Sequence, residues 1–176
     1  MPVYLYWICR GVLLAVFAVS VLSKVRDSEA YAQFRSAAGT LSGASRRWVP
    51  AIAAATVLTE GAVVLGLLTA RTTPYAFAVV GALLAVFTAA LLRDARSGTP
   101  VPCRCFGAST PSGYVAVVRN AALLAVSAAG LWCAAADAGV APLPVYGALV
   151  CVLCVLVLTA GLIRFDHLSA VLTARR

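Results

Sequence analysis

Charge is scarce in this chain. Lysine, arginine, aspartate and glutamate make up 11% of its 176 residues, and only six of them are acidic. A soluble domain carries about a quarter charged residues, so the composition excludes an ordinary soluble domain. Histidine occurs once, at His167. A zinc site wants four ligands, and two neighbouring cysteines with one distant histidine do not supply them. Copper(I), which accepts two thiolates, is the remaining metal alternative; the expectation is no metal. No DNA-binding motif accompanies the scattered arginines, which argues against nucleic acid. No soluble linker, low-complexity tail or internal repeat divides the chain, so residues 1–176 read as a single transmembrane helical domain.

What the chain has in quantity is apolar sequence. Hydrophobic residues make up 62% and the mean hydropathy is +0.96. Apolar runs of roughly 20 residues are long enough to cross a bilayer as helices. Five are expected: Val3 to Leu22, Trp48 to Ala70, Tyr75 to Leu92, Tyr114 to Ala136, and Leu143 to Ile163. Arg10 lies inside the first run and no small-residue cleavage site follows, so it reads as a span and not as a cleaved signal peptide.

Basic residues orient the bundle. Lys24, Arg26, Arg35, Arg46, Arg47, Arg93, Arg96, Arg104, Arg164, Arg175 and Arg176 fall on one face of a five-span topology, and Arg71 alone falls on the other. Basic loops stay cytoplasmic, which puts the amino terminus outside and the carboxyl terminus inside. The net charge of +8 then reads as a topology signal and a fit to anionic membrane lipid. Tyr31, Phe34, Ala38 and Leu41 recur at helical spacing between the first two spans, predicting an amphipathic helix along the membrane surface. Gly39 and Gly43 favour a break after it. Short turns at Arg71–Pro74 and Asp137–Pro144 predict antiparallel neighbours, and Gly61, Gly66, Gly81 and Ala85 would allow close helix contacts.

One segment stands apart, the loop of residues 99–113 that contains Cys103, Arg104 and Cys105. Pro100 and Pro102 bias their predecessors toward extended backbone, and Gly107 and the STPSG stretch oppose a helix. A disulfide across one intervening residue closes almost no loop, so it stabilises little. Its small ring is strained, and strain makes it easier to reduce. Arg104, with Arg93, Arg96 and Arg119 near in sequence, favours the thiolate that attacks another disulfide. Cys103 and Cys105 are therefore the candidate catalytic pair. Inert cysteines are the bland alternative.

Other residues invite both readings. Cys151 and Cys154 share a helix face at i, i+3 spacing. They are either small buried hydrophobes or a second redox pair. Arg10, Glu60 and Arg119 are charges inside spans, and such a charge costs on the order of 3 kcal/mol at a span centre. Glu60 needs an arginine, a hydroxyl or a proton. It belongs either to a helix-pairing ion bridge or to a pocket for a proton or a quinone headgroup. Arg119 reaches toward the membrane face or the cysteine loop. His167, after the fifth span, reads as interfacial.

The sequence resembles the MauE family, relatives of the DoxX group. Cys103–Gly107 resembles the family's C-x-C-F-G loop, with Arg104 where glycine is expected. Ser23-Lys24-Val25-Arg26-Asp27 resembles its S-K-L-R-D segment, with Phe34 following at a suitable distance. Glu60 resembles the acidic residue of the second span, and Arg119-Asn120 the R-N pair after the cysteine loop. The resemblance covers roughly Val3 to Ala136 and implies an all-α membrane bundle, a four-helix core plus one, that helps mature disulfide-containing proteins. It implies a thioredoxin-like partner of the MauD kind. It also suggests an analogy with vitamin K epoxide reductase and DsbB, which link thiols to quinone. The expected function is a membrane thiol–disulfide oxidoreductase or electron relay. It would join a thioredoxin-like or thiol-containing protein or peptide partner to a membrane quinone. A non-enzymatic assembly factor and a small-molecule or metal transporter are the alternatives. Oxidative maturation belongs outside the cytoplasm, whereas the basic residues put Cys103 and Cys105 inside. A reductive relay or cytoplasmic handling of a peptide reconciles the two.

Overall fold

Apolar runs in a bilayer have no water to satisfy their backbone, so each closes its hydrogen bonds internally as a helix. The computed structural model describes residues 2–96, 113–136 and 144–173. These form six helices: α1 (Pro2–Val25), α2 (Ser28–Ser42), α3 (Val49–Leu68), α4 (Thr73–Arg96), α5 (Gly113–Ala135) and α6 (Val145–Thr173). No strand occurs among the described residues. Four helices, α1, α3, α4 and α5, are long and apolar enough to cross a membrane. The expected fifth span is α6. Its described apolar part, Val145–Gly161, is shorter than the other four, and the helix runs on through His167 to Thr173. His167 therefore follows the described apolar part, as expected, while still lying within the helix.

The bundle is built around α1. It packs against α3, α5 and α6, while α4 and α5 form a broad antiparallel pair. Tyr6, Cys9, Val12, Leu13, Val16 and Phe17 of α1 are buried. They meet Val63 and Leu67 of α3, Phe77, Val80 and Leu84 of α4, and Leu123 and Cys133 of α5 in one core. Tyr6 stands edge-on to Phe77, with centroids 6.0 Å apart. Leucines and valines such as Leu58, Leu65, Val86, Leu153 and Val157 remain exposed, as lipid-facing side chains do in a membrane bundle.

Small residues do not all mark contacts. A side chain on Gly66 would come within 3.1 Å of Ala76, and one on Gly81 within 3.6 Å of Ser127, but Gly61 meets nothing within 4 Å and Ala85 is exposed. The tightest approaches lie elsewhere, at Gly11 against Val155 and at Gly130 against Phe77.

The expected amphipathic helix is α2, and its apolar face turns onto the bundle. Phe34 is buried, with Tyr31, Ala38 and Leu41 half-buried, and the helix packs on α1, α3 and α4. Asp27 caps its start by accepting from the Ala30 amide at 2.6 Å. Gly43 ends it in the left-handed region at φ 62°, a conformation glycine adopts without steric cost. Gly39 breaks nothing. It sits inside α2, where its bare Cα lets Val49 of α3 approach.

These packings define one end of the molecule. α1 ends there, α2 lies across it and α3 starts from it. Leu91 near the end of α4 and Ala116 near the start of α5 cluster there with Leu41 of α2. Residues 97–112, with Cys103, Arg104 and Cys105, lie outside the described residues. The two helices that flank them are anchored at this α2 end.

Candidate functional site

At the α2 end, α1 continues one turn beyond the expected limit at Leu22. That extra turn keeps Ser20 and Lys24 at i, i+4 spacing on one helical face. Lys24 was expected in a loop; it is instead 2% exposed and points into the bundle. Its Nζ donates to Glu60 of α3 at 2.5 Å (Oε1) and 2.6 Å (Oε2) and to the Ser20 hydroxyl at 2.8 Å. Ser20 lies 3.4 Å from both carboxylate oxygens. The ring of Phe34 covers the ammonium at 4.8 Å. Glu60 is itself 2% exposed. One buried ion pair thus ties α1 to α3 and seats α2 on top of both.

Of the two readings open for Glu60, the helix-pairing bridge is present, made with a lysine and a hydroxyl. The missed residue is Lys24. Its signal was its position four residues after Ser20, which holds only if the helix continues through it.

The segment Ser23–Asp27 now has a physical reading. Ser23 donates back to the Ser20 carbonyl at 2.8 Å, Lys24 pairs with Glu60, and Asp27 caps α2. Arg26 donates to Asp27 at 3.1 Å on the surface. The Ala30 amide, and next the Arg26 side chain, hold the Asp27 carboxyl below its ordinary titration range.

Arg10 belongs to a different place. Its Nε donates to the Leu67 carbonyl at 2.6 Å and its Nη2 to the Leu68 carbonyl at 2.8 Å. These are among the last carbonyls of α3, which have no partner within their own helix. Arg10 also stacks on Trp7 at 4.8 Å. It lies ten residues before Ser20 on α1, about 15 Å along the axis at 1.5 Å per residue, so Arg10 and Glu60 do not share a pocket.

Arg10 instead shares an apolar cavity of about 700 Å³ with Trp7, Gly11, Leu67, Cys151 and Val155, between α1, the end of α3 and α6. Cys151 is buried and Cys154 half-buried, and both are free thiols. Cys9 and Cys133 are free and buried in the core. Arg119 and Asn120 are buried one turn into α5 from Ala116.

Residues 2–133 match the family of the methylamine utilisation protein MauE. The chain belongs to the MauE family. The match takes in α1 to α4, residues 97–112 and nearly all of α5, so the Lys24–Glu60 centre and the cysteine loop both fall within the family region. α6, with Cys151 and Cys154, lies beyond it. The family and the apolar helices together make this a multi-pass membrane protein associated with methylamine utilisation. No curated protein and no solved structure matches the chain.

Proposed function

We propose that this MauE-family chain is a membrane thiol–disulfide oxidoreductase whose reactive pair is Cys103 and Cys105. The observation that carries the reading is the convergence of Leu91, Ala116 and Leu41. Leu91 of α4 and Ala116 of α5, on the two helices that flank the cysteine segment, thereby pack with Leu41 of α2, the helix whose Phe34 covers the Lys24 ammonium. A loop that must meet a protein partner gains from rigid anchors.

In the proposed reaction one thiolate attacks a disulfide of a thioredoxin-like or peptide partner. A mixed disulfide forms and one partner sulfur leaves as thiolate. The second loop thiol then displaces the partner. The loop ends oxidised, the partner ends as a dithiol, and two electrons have moved. The reverse sequence moves them back. Arg104 and Arg119 would favour thiolate in this reading, and Glu60, with its partner Lys24, would hold or move a proton.

A lipid-soluble quinone is the proposed membrane partner, supplying a two-electron, two-proton exchange with a dithiol. The cavity beside Arg10 and Cys151 fits its apolar body, with Arg10 as a hydrogen-bond donor on the wall. The Cys151–Cys154 pair would be the thiols nearest to it, and exchange between this pair and the loop pair, whose flanking helices meet at the α2 end, would need a large approach or a mobile carrier. We further propose that the cysteine loop is cytoplasmic, on the evidence of the basic residues around α2.

The test is to express Cys103→Ser and Cys105→Ser separately. One variant should accumulate a reducible, higher-mass adduct on a non-reducing gel, and both should lose turnover. The double variant should be little worse than the attacker's single variant, because residues acting in one sequence are non-additive. Wild-type activity in both single variants, with no adduct, would replace this reading by a membrane assembly factor whose loop has no redox role.

A further inference from the structure

We propose that the cleft between α2 and the start of α3 binds the phosphate of an anionic phospholipid headgroup. This cavity of about 650 Å³ is lined by Arg35, Ser36, Thr40, Arg46 and Pro50, with Gly39 at its floor between the helices. Gly43 reverses the chain after α2, which brings Arg46 to the same cleft as Arg35, eleven residues earlier in sequence. The two ion pairs among the described residues are Lys24–Glu60 and Arg26–Asp27. Arg35 and Arg46 thus both line the cleft, and neither is in an ion pair among the described residues.

The depth of the cleft fits a headgroup. Trp48, next in the chain, is 56% exposed and lies 5.8 Å from the Arg47 guanidinium. An exposed tryptophan beside arginine, at the start of a membrane span, marks the level of the lipid headgroups. At that level the anion available in quantity is lipid phosphate, and each nearby cation adds attraction to an anionic surface. The Ser36 hydroxyl adds a hydrogen-bond donor. A zwitterionic lipid brings its own ammonium beside the phosphate, and two arginines disfavour it. The site thus selects net negative lipid.

Native mass spectrometry of the full chain, released from detergent with equal phosphatidylglycerol and phosphatidylcholine of matched acyl chains, tests the assignment. Wild type should retain phosphatidylglycerol preferentially. R35A/R46A should weaken that retention about thirtyfold, the effect of removing two interfacial cations. R35K/R46K should keep most of it. R26A, whose arginine pairs with Asp27 outside the cleft, should behave as wild type. Equal retention of both lipids, or retention unchanged in R35A/R46A, would overturn the site. Displacement of phosphatidylglycerol by inorganic phosphate, but not by chloride at the same ionic strength, would overturn the lipid assignment and identify a soluble phosphate as the ligand.

Discussion

At the scale of single residues, Glu60 of α3 and Arg10 of α1 are costly intramembrane groups, each held by specific partners. Glu60 and Lys24 are buried together, so removing one leaves the other charge without compensation. Breaking such a pair costs about 3 kcal/mol or more, whereas replacing both partners with apolar groups is often close to neutral. Glu60→Leu and Lys24→Met should each lower the thermal stability of the detergent-solubilised protein sharply. The double variant should recover most of the loss. If the double variant's loss equals the sum of the two single losses, the bridge does not exist as described. Arg10 answers a different need, because its guanidinium closes two carbonyls at the end of α3. Arg10→Lys keeps the charge but not the fork that reaches both oxygens. It should therefore destabilise by about 1–2 kcal/mol, the cost of a lost hydrogen bond, measured by the same melting assay. Stability equal to wild type would remove Arg10 from its capping role.

At the scale of elements, α2 depends on its cap and the bundle on its close approaches. The Asp27 carboxyl titrates below its ordinary range because the Ala30 amide donates to the ionised form. Its contribution is therefore present above the ordinary carboxylate range and is lost as pH falls through the lowered value. The protection factors of the Ala30 and Tyr31 amides, which correct for the intrinsic slowing of exchange in acid, should fall on acidification, and Asp27→Asn, which keeps an acceptor but cannot titrate, should flatten that response. Gly130→Ala would put a methyl 2.6 Å from the Phe77 ring, and Phe77 is fully buried, so overpacking should cost about 1–3 kcal/mol. Gly61→Ala meets open space and should leave stability unchanged or raise it by up to about 1 kcal/mol. Melting curves of the two variants separate these outcomes. The helices themselves were legible, because uninterrupted apolar runs in a bilayer leave no other backbone solution. So was the buried face of α2, since Tyr31, Phe34, Ala38 and Leu41 follow its period. The end of α1 was not. Its apolar run stops at Leu22, but Asp27 starts the next helix only after Ser23 and Lys24 have stayed helical, and that turn aims Lys24 inward. Which glycines would touch a neighbour was not legible either. A small residue permits contact on any face, and only the packing of α1 on α6, or of α4 on α5, chooses Gly11 and Gly130 over Gly61.

At the scale of the whole molecule, sidedness follows from which groups share an end. Arg26, Arg35, Arg46 and Arg47 surround α2, and Arg93 lies at the end of α4. Lys24 no longer contributes to this set, since it is buried in the bridge, yet the imbalance against Arg71 at the opposite turn remains. Whether α6 crosses the membrane does not affect the argument. α1, α3, α4 and α5 already bring the start of α3, the end of α4 and the start of α5 to the α2 end. Positive charge retained at that end predicts that it is cytoplasmic. Two reporters test this together. Cys105, in a Cys103→Ser background, should resist a membrane-impermeant maleimide in intact cells and react after permeabilisation. Arg47→Cys, in a background where Cys103 and Cys105 are both serine, reports from the exposed turn before α3 and should behave the same way. Rapid labelling of both in intact cells would move the α2 end and the cysteine loop outside and favour an oxidase facing the exterior. Labelling from opposite sides would break the anchoring of the loop to α2 through Leu41, Leu91 and Ala116, and with it the structural support for the proposed reactive site.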